Sequence, residues 1–264
     1  MKKLLNFGLI AGVILSFSAL GACSGSDSDN GGSAGGGGSA PVVNGKRLVK
    51  VTVNDYSTSY VYNSKGQIIK SERGLSSGGR KDVDDYVYTD SMIVRSNYSS
   101  NYSIVRSHYY YFLENGRVVR DSVPNYYINN YEYDGAGQLI TIRTTYKNSY
   151  RSVIENIIWQ NGNIVKTESD SSGDKHTFIY TYTSHPNTLP ILNLHVEPVL
   201  YSQGYFGRIC KNLPSELVFS DTADSGETST STTSYDYTFE NGVVTKVIES
   251  NDSGGNAIYH FTWE

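Results

Sequence analysis

The sequence predicts an all-β protein. It reads as a single domain of repeated antiparallel hairpins forming a large curved, partly rolled sheet of about 12–15 strands, with one irregular Pro-rich insertion. Three observations predict this. Segments of alternating aromatic and polar residues recur, each running into a turn and then a β-branched run. Four of the turns are Asn-Gly, the pair that suits a type I′ hairpin because both central residues need φ > 0. Finally, 23 tyrosines outnumber eight phenylalanines in a chain rich in Ser and Thr and sparse in Leu. That is strand composition, and tyrosine suits a half-wet sheet because its ring packs while its hydroxyl stays near polar partners.

The first element is an export leader. Lys2 and Lys3 precede an apolar run from Leu4 to Leu20, and Leu20-Gly21-Ala22-Cys23 ends it. A basic start, a short apolar core and small residues before a cleavage point mark a signal peptide rather than a membrane span. The four residues resemble the lipobox of bacterial lipoproteins, in which the preceding peptide is removed and the cysteine acylated. The resemblance implies a signal peptide at 1–22 and lipidation at Cys23. Residues 23–45 then form the lipidated cysteine and a Gly/Ser linker. Its stretch 24–40 lacks any bulky apolar residue to offset ordering entropy and has a coil span of about 23 Å. Asp27 and Asp29 resemble the acidic export signal of Bacteroidetes lipoproteins carried to the cell surface. The folded domain occupies 46–264.

Within it the units align on their turns. They are Tyr60 to Ile68, Tyr109 to Val118, Tyr131 to Leu139, Ile157 to Ile164 and Tyr235 to Val244. A degenerate copy, Tyr86 to Ile93, lacks the glycine. The spacing of about 21–25 residues is one hairpin of two strands. The tyrosines read as cross-strand packing pairs, with a sugar-stacking platform as the alternative. Strands such as Thr141 to Lys147 place charge or Thr on both faces, which opposes a lipid-facing barrel.

The repeat breaks between His185 and Pro214, which contains four of the six prolines. Ile191, Leu192, Leu194, Val196, Val199 and Leu200 suit one side of a short helix or ordered loop. Two readings stand. The stretch is a plug that covers a sheet edge or fills the concave face, or it is a binding loop with an aromatic lip at Tyr201, Tyr205 and Phe206.

The chain carries a net charge of −4, and loss of the leader's lysines makes it more acidic, which argues against nucleic acid. Cys210 is the one cysteine left after lipidation, so no internal disulfide forms, and it reads as a small buried hydrophobe. No nucleophile elbow, zinc helix, P-loop or dinucleotide fingerprint is present, so no catalytic residue, metal or cofactor is assigned. Carboxylates on strands (Glu132, Asp134, Glu155, Glu168) leave a hydrolytic pair open. Asp90-Ser91-Met92, Asp121-Ser122-Val123 and Asp221-Thr222-Ala223 resemble the O-glycosylation sequon of Bacteroidetes exported proteins, which implies glycans on Ser91, Ser122 or Thr222.

The Tyr-x-Tyr-[Asn/Asp]-x-x-Gly-x-[Ile/Leu] unit, best matched at Tyr131 to Leu139, resembles the YD repeat of large bacterial surface proteins. The region 46–264, and most of all Gly204 to Arg208 with Lys211 to Pro214, resembles a family of Bacteroidetes lipoproteins of unknown function with a porin-like fold. The resemblance implies fold and location and brings no catalytic residues. The expected function is an outer-membrane, surface-exposed lipoprotein. It would be held to the membrane by its lipid and act as a non-enzymatic binding or adhesion module for polysaccharide or protein. An accessory glycan hydrolase and a structural or apolar-ligand carrier are the alternatives.

Overall fold

The computed structural model describes residues 38–39, 42–100, 102–149, 151–171, 173–189 and 196–264. The leader, Cys23 and most of the 23–45 linker lie outside the described residues, as do Ile191, Leu192, Leu194 and His195.

Sixteen strands form among the described residues. They are β1 (Leu48–Val53), β2 (Tyr56–Tyr62), β3 (Ile68–Leu75), β4 (Lys81–Tyr88), β5 (Met92–Ser99), β6 (Tyr102–Glu114), β7 (Arg117–Val123) and β8 (Tyr127–Tyr133). Then come β9 (Leu139–Tyr146), β10 (Ser152–Gln160), β11 (Asn163–Ser171), β12 (Asp174–Pro186), β13 (Asn212–Thr222), β14 (Thr228–Glu240), β15 (Val243–Asn251) and β16 (Asn256–Trp263). One short helix, α1 (Pro198–Ser202), lies between β12 and β13. Each strand pairs antiparallel with its sequence neighbours, and β1 pairs with β16, Val51 opposite Phe261. The expectation of a partly rolled sheet of 12–15 strands is therefore corrected. The sheet is a closed barrel of sixteen strands, because the first and last strands satisfy each other's edges. The Pro-rich break is also narrower than expected. β12 runs to Pro186 and β13 holds Pro214, both at register shifts where a missing ladder donor is tolerated.

Two kinds of turn build the hairpins at one end. Asn115-Gly116, Asn161-Gly162 and Asn241-Gly242 have φ of 49°/71°, 52°/80° and 52°/77°, the paired left-handed geometry that their sequence predicts. The other kind uses a side chain. Asn63 Oδ1 accepts from the backbone N–H groups of Lys65 and Gln67, and Asp134 Oδ1 accepts from those of Ala136 and Gln138.

The Tyr-x-Tyr repeat has a structural cause. The first tyrosine (Tyr60, Tyr86, Tyr131, Tyr235) is buried in the lumen. The second meets a β-bulge on the preceding strand. Register shifts at Leu48/Lys50, and opposite Tyr62, Tyr133, Trp159, Tyr182 and Phe239, skip one residue in each of several odd-numbered strands. A bulge leaves ladder groups unpaired. Tyr88 donates to Ile68 O (2.7 Å), Tyr133 to Val118 O (2.6 Å) and Tyr237 to Pro214 O (2.7 Å). Tyr62 and Tyr182 donate to Leu48 O and Ile164 O, and the indoles of Trp159 and Trp263 to Leu139 O and Val244 O. In β6 this position is Leu113, whose partner hairpin is the degenerate copy.

The bulges also leave N–H groups facing inward, and the segment between β12 and β13 takes three of them. Gln203 Oε1 accepts from Ile68 N (3.3 Å), Tyr205 O from Val118 N (2.8 Å) and Cys210 Sγ from Ile164 N (3.3 Å). This segment enters the lumen as a plug. Phe206 is fully buried, with its ring edge-on to Tyr131 (5.0 Å) and Tyr111 (6.5 Å). Leu189, Val199, Leu200 and Leu213 complete the apolar filling. Arg208 N and Lys211 N bond to the turn carbonyls of Gly137 and Gly162, which places the plug at the end that carries the Asn-Gly turns. Gly207 has φ +84°, and a Cβ there would lie 2.3 Å from Gly137 O, so only glycine fits.

Phe206→Ala is expected to cost about 3–5 kcal/mol in urea unfolding, because it empties the centre of the plug. Tyr133→Phe, which orphans Val118 O while keeping the ring, is expected to cost about 1–3 kcal/mol. A Phe206→Ala loss below 1 kcal/mol would show that the plug is not part of the core.

Candidate functional site

The plug fills only one half of the lumen. β1 begins at the plugged end, where the turn at Asn44 also bonds to Asn241 O. Towards the opposite end the lumen opens into a cavity of about 530 Å³. Val196, Glu197 and Pro198 of the plug line its inner limit, and residues of β5 to β12 form its wall. The wall alternates because a strand does: Tyr111, Asp121, Asn129 and Thr144 are register neighbours on the inward face, while Ser122 and Asn130 beside them point out.

The cavity carries four aromatic faces: Tyr109, Tyr111, Tyr127 and Tyr146. Tyr146 is 42% exposed and lies at the strand end next to the β9–β10 connection. Its one guanidinium, Arg95, is fully engaged. It forms a close ion pair with Glu197, a second with Asp84 (2.9 Å), and lies over the Tyr109 ring at 4.3 Å. Glu197 also accepts from Tyr86 OH at 3.1 Å. This ties the plug to the wall. Asp121 is different. Burial pushes its carboxyl up to about 6, against the stabilising hydrogen bond from Tyr131 OH (2.7 Å). At another part of the wall His176 Nδ1 faces Asp221 at 3.2 Å.

The residues singled out in the sequence lie elsewhere. Tyr201, Tyr205 and Phe206 are 3%, 4% and 0% exposed, inside the plug, and do not line the cavity. Tyr205 stacks on Tyr88 and accepts from Gln67 Nε2. Of the modification candidates, Ser91 is exposed in the β4–β5 turn and Ser122 half-buried on the outer face of β7. Thr222 is half-buried at the end of β13, its hydroxyl 3.0 Å from that of Thr228. Glu132 and Glu168 pair with Arg143 and Lys166, and Asp134 caps a turn. Glu155 is buried. Cys210 is buried and burial pushes its thiol up to about 11.

Sequence reading missed Arg95, Asp121, Asn129, Tyr127 and Tyr146 as a group. Their one signal is alternation: each continues the inward register of a strand whose other inward positions are apolar or aromatic.

A family model described as a domain of unknown function (DUF4595) with porin-like fold matches residues 60–246. Among solved structures, the chain is similar to a porin-like protein from Bacteroides uniformis ATCC 8492, with a TM-score of 0.60 and 16% identity over 82% of this chain and 98% of that one. It is also similar to a porin-like protein from Bacteroides vulgatus ATCC 8482, with a TM-score of 0.59 and 12% identity over 81% of this chain and 97% of that one. These identities show a shared fold. A search of curated proteins finds no match.

On β15, burial pushes the Glu249 carboxyl up to about 7, with Tyr259 OH donating to it at 3.3 Å. A carboxyl raised in the folded state binds its proton more tightly than the unfolded chain does. Stability is therefore lost as pH rises from the unfolded value towards 7. Glu249→Gln is expected to raise the melting temperature at pH 8 and leave it nearly unchanged at pH 4. Equal shifts at both pH values would refute the assignment.

Proposed function

The chain belongs to the DUF4595 family of porin-like fold, and from that premise we propose a lipid-anchored, surface-exposed binding module of the outer membrane whose open cup takes a glycan. The carrying observation is the cavity of about 530 Å³, in which tyrosine faces alternate with acceptors and hydroxyls. Sugar rings stack on aromatic faces while their hydroxyls need such partners, and a small concave site with a few placed polar groups is the usual form of a ligand pocket.

A binding role fits better than conduction, because Phe206, Leu200 and Leu213 fill the other half of the lumen. A lipid tether fits better than insertion. The outer face carries Lys70 with Glu72, Glu132 with Arg143, and Lys166 with Glu168 at mid-strand, where a spanning barrel needs an apolar band. Most of the tyrosines face inward, and on the outer face these ion pairs interrupt the exposed aliphatics such as Val61, Val87 and Ile158. The chain enters β1 at the plugged end, where Asn44 bonds to Asn241 O, which favours a cup that opens away from a tether at Cys23. A second reading, glycan hydrolysis by a carboxylate pair, draws on Asp121 and Glu197 lining the same cavity.

Non-lipidated protein (residues 24–264) is expected to be retarded by one glycan class in affinity electrophoresis. Tyr146→Ala is expected to weaken that binding at least about tenfold, a loss typical of a stacking contact, and Tyr205→Phe, inside the plug, to leave it unchanged. No retardation across a broad panel would sink the glycan reading, and release of reducing ends would favour the hydrolase. Cys23→Ala is expected to move the native protein from the membrane to the soluble fraction. Intact mass of the wild type reads the acyl chains and any glycan on Ser91, Ser122 or Thr222 together.

A further inference from the structure

We infer that the cup takes a ligand bearing a protonated amine, with Asp121 as its counter-charge; the inference deepens the glycan reading and rests on it.

The charges around the cavity do not balance. Arg95 is shared between Glu197 and Asp84 and covered by Tyr109. Two carboxylates thus already answer one guanidinium, and Asp121 has no basic partner in any ion pair among the described residues. The hydrogen bonds point the same way. Tyr131 OH donates to Asp121 Oδ2 at 2.7 Å, because an ionised carboxylate can only accept. The phenol's single proton is then spent, so Asn129, 3.3 Å away, must turn its NH₂ towards Tyr131. That fixes the amide and leaves Asn129 Oδ1 as an acceptor. Neither Asp121 Oδ1 nor Asn129 Oδ1 has a donor at good hydrogen-bond geometry; the N–H groups of Asn129 also stabilise the Asp121 carboxylate but bring no charge. The two residues are opposite each other across β7 and β8, are each 5% exposed, and both line the cavity.

A buried carboxylate without a cationic partner, facing an amide acceptor on a low-dielectric wall, calls for a cationic donor. A hydroxyl would supply hydrogen bonds without charge, and a carboxylate or sulfate would be repelled. Unpartnered buried acceptors are costly, and this pair is set apart from the others in the described residues by lining the cavity. The rings of Tyr127 and Tyr146 suit a cation as well as a sugar ring. The ligand class is an amino sugar with a free amine.

The other titratable or charged groups facing Asp121 are Tyr111, Tyr127 and Tyr131 on the wall and Glu197 on the plug. Arg95 and Asp84 lie behind Glu197, and His176 lines the cavity from β12. The phenols stay neutral, because burial raises them further above neutrality. Asp121, raised by burial to about 6, is mostly ionised at pH 7 and mostly protonated at pH 5, so the attraction weakens as pH falls.

Calorimetric titration of residues 24–264 would compare β-linked glucosamine oligomers, the same oligomers N-acetylated, and oligouronates. The free-amine oligomer is expected to bind at least about tenfold tighter than its acetylated form at pH 7, and the oligouronate not to bind. The preference is expected to fall at pH 5 in the wild type, and to disappear in Asp121→Asn without a loss of melting temperature. The pH arm keeps the test decisive if the variant does not fold. Equal affinity for free and acetylated oligomers overturns the amine and leaves the glycan reading standing. Binding of some other neutral glycan alone does the same. If no sugar binds, both fall.

Discussion

A ring of sixteen strands encloses more space than its own inward side chains can fill, and the rest of this structure answers that constraint. An eight-stranded barrel closes over a core of ordinary side chains, whereas one twice as large leaves a channel unless something enters it. Here the inner wall is apolar and aromatic, so a water-filled channel would forfeit the burial that drives folding. Tyrosine, a long rigid side chain that packs along its ring and ends in a hydrogen-bonding hydroxyl, lines the wall and shortens the gap. The described residues between β12 and β13, 187–189 and 196–211, fill what remains at one end. What it does not fill is the cup.

The bulges join these solutions. The bulges of β3, β7 and β11 each skip a residue and turn a carbonyl to a tyrosine of the next strand and an N–H to the plug. Tyr88 takes Ile68 O and Gln203 takes Ile68 N; Tyr133 takes Val118 O and Tyr205 O takes Val118 N; Tyr182 takes Ile164 O and Cys210 takes Ile164 N. Wall and plug are thus halves of one hydrogen-bond scheme. Cys210 is explained without reactivity. It is a small acceptor fitted against a strand N–H, and its thiol is kept protonated by burial.

Much of this was legible in the sequence. The strand class, the hairpin period and the Asn-Gly turns follow from local rules, since φ > 0 at two successive positions demands those residues. Even the degenerate copy, Tyr86 to Ile93, was visible, as the unit whose turn lacks the glycine. Closure was not legible, because the pairing of Val51 with Phe261 joins strands whose local patterns differ in no way from those of open edges. The second tyrosine of each unit read as a packing residue, because a bulge depends on register between strands and leaves no mark on either alone. The cup was hidden for the same reason. Asp121 was noticed only as the start of Asp121-Ser122-Val123, whereas its surroundings come from β8 and the plug, far away in sequence.

The seam between β1 and β16 has a temporal meaning. Every other neighbouring pair of strands is contiguous in the chain, and local pairs form quickly because little loop must be ordered. The seam joins β1 to β16, the two strands furthest apart in the chain among the described residues. A growing ribbon therefore carries two unpaired edges until β16 reaches β1, and such edges recruit other chains. The molecule's exposure to misassociation ends only when its final strand arrives.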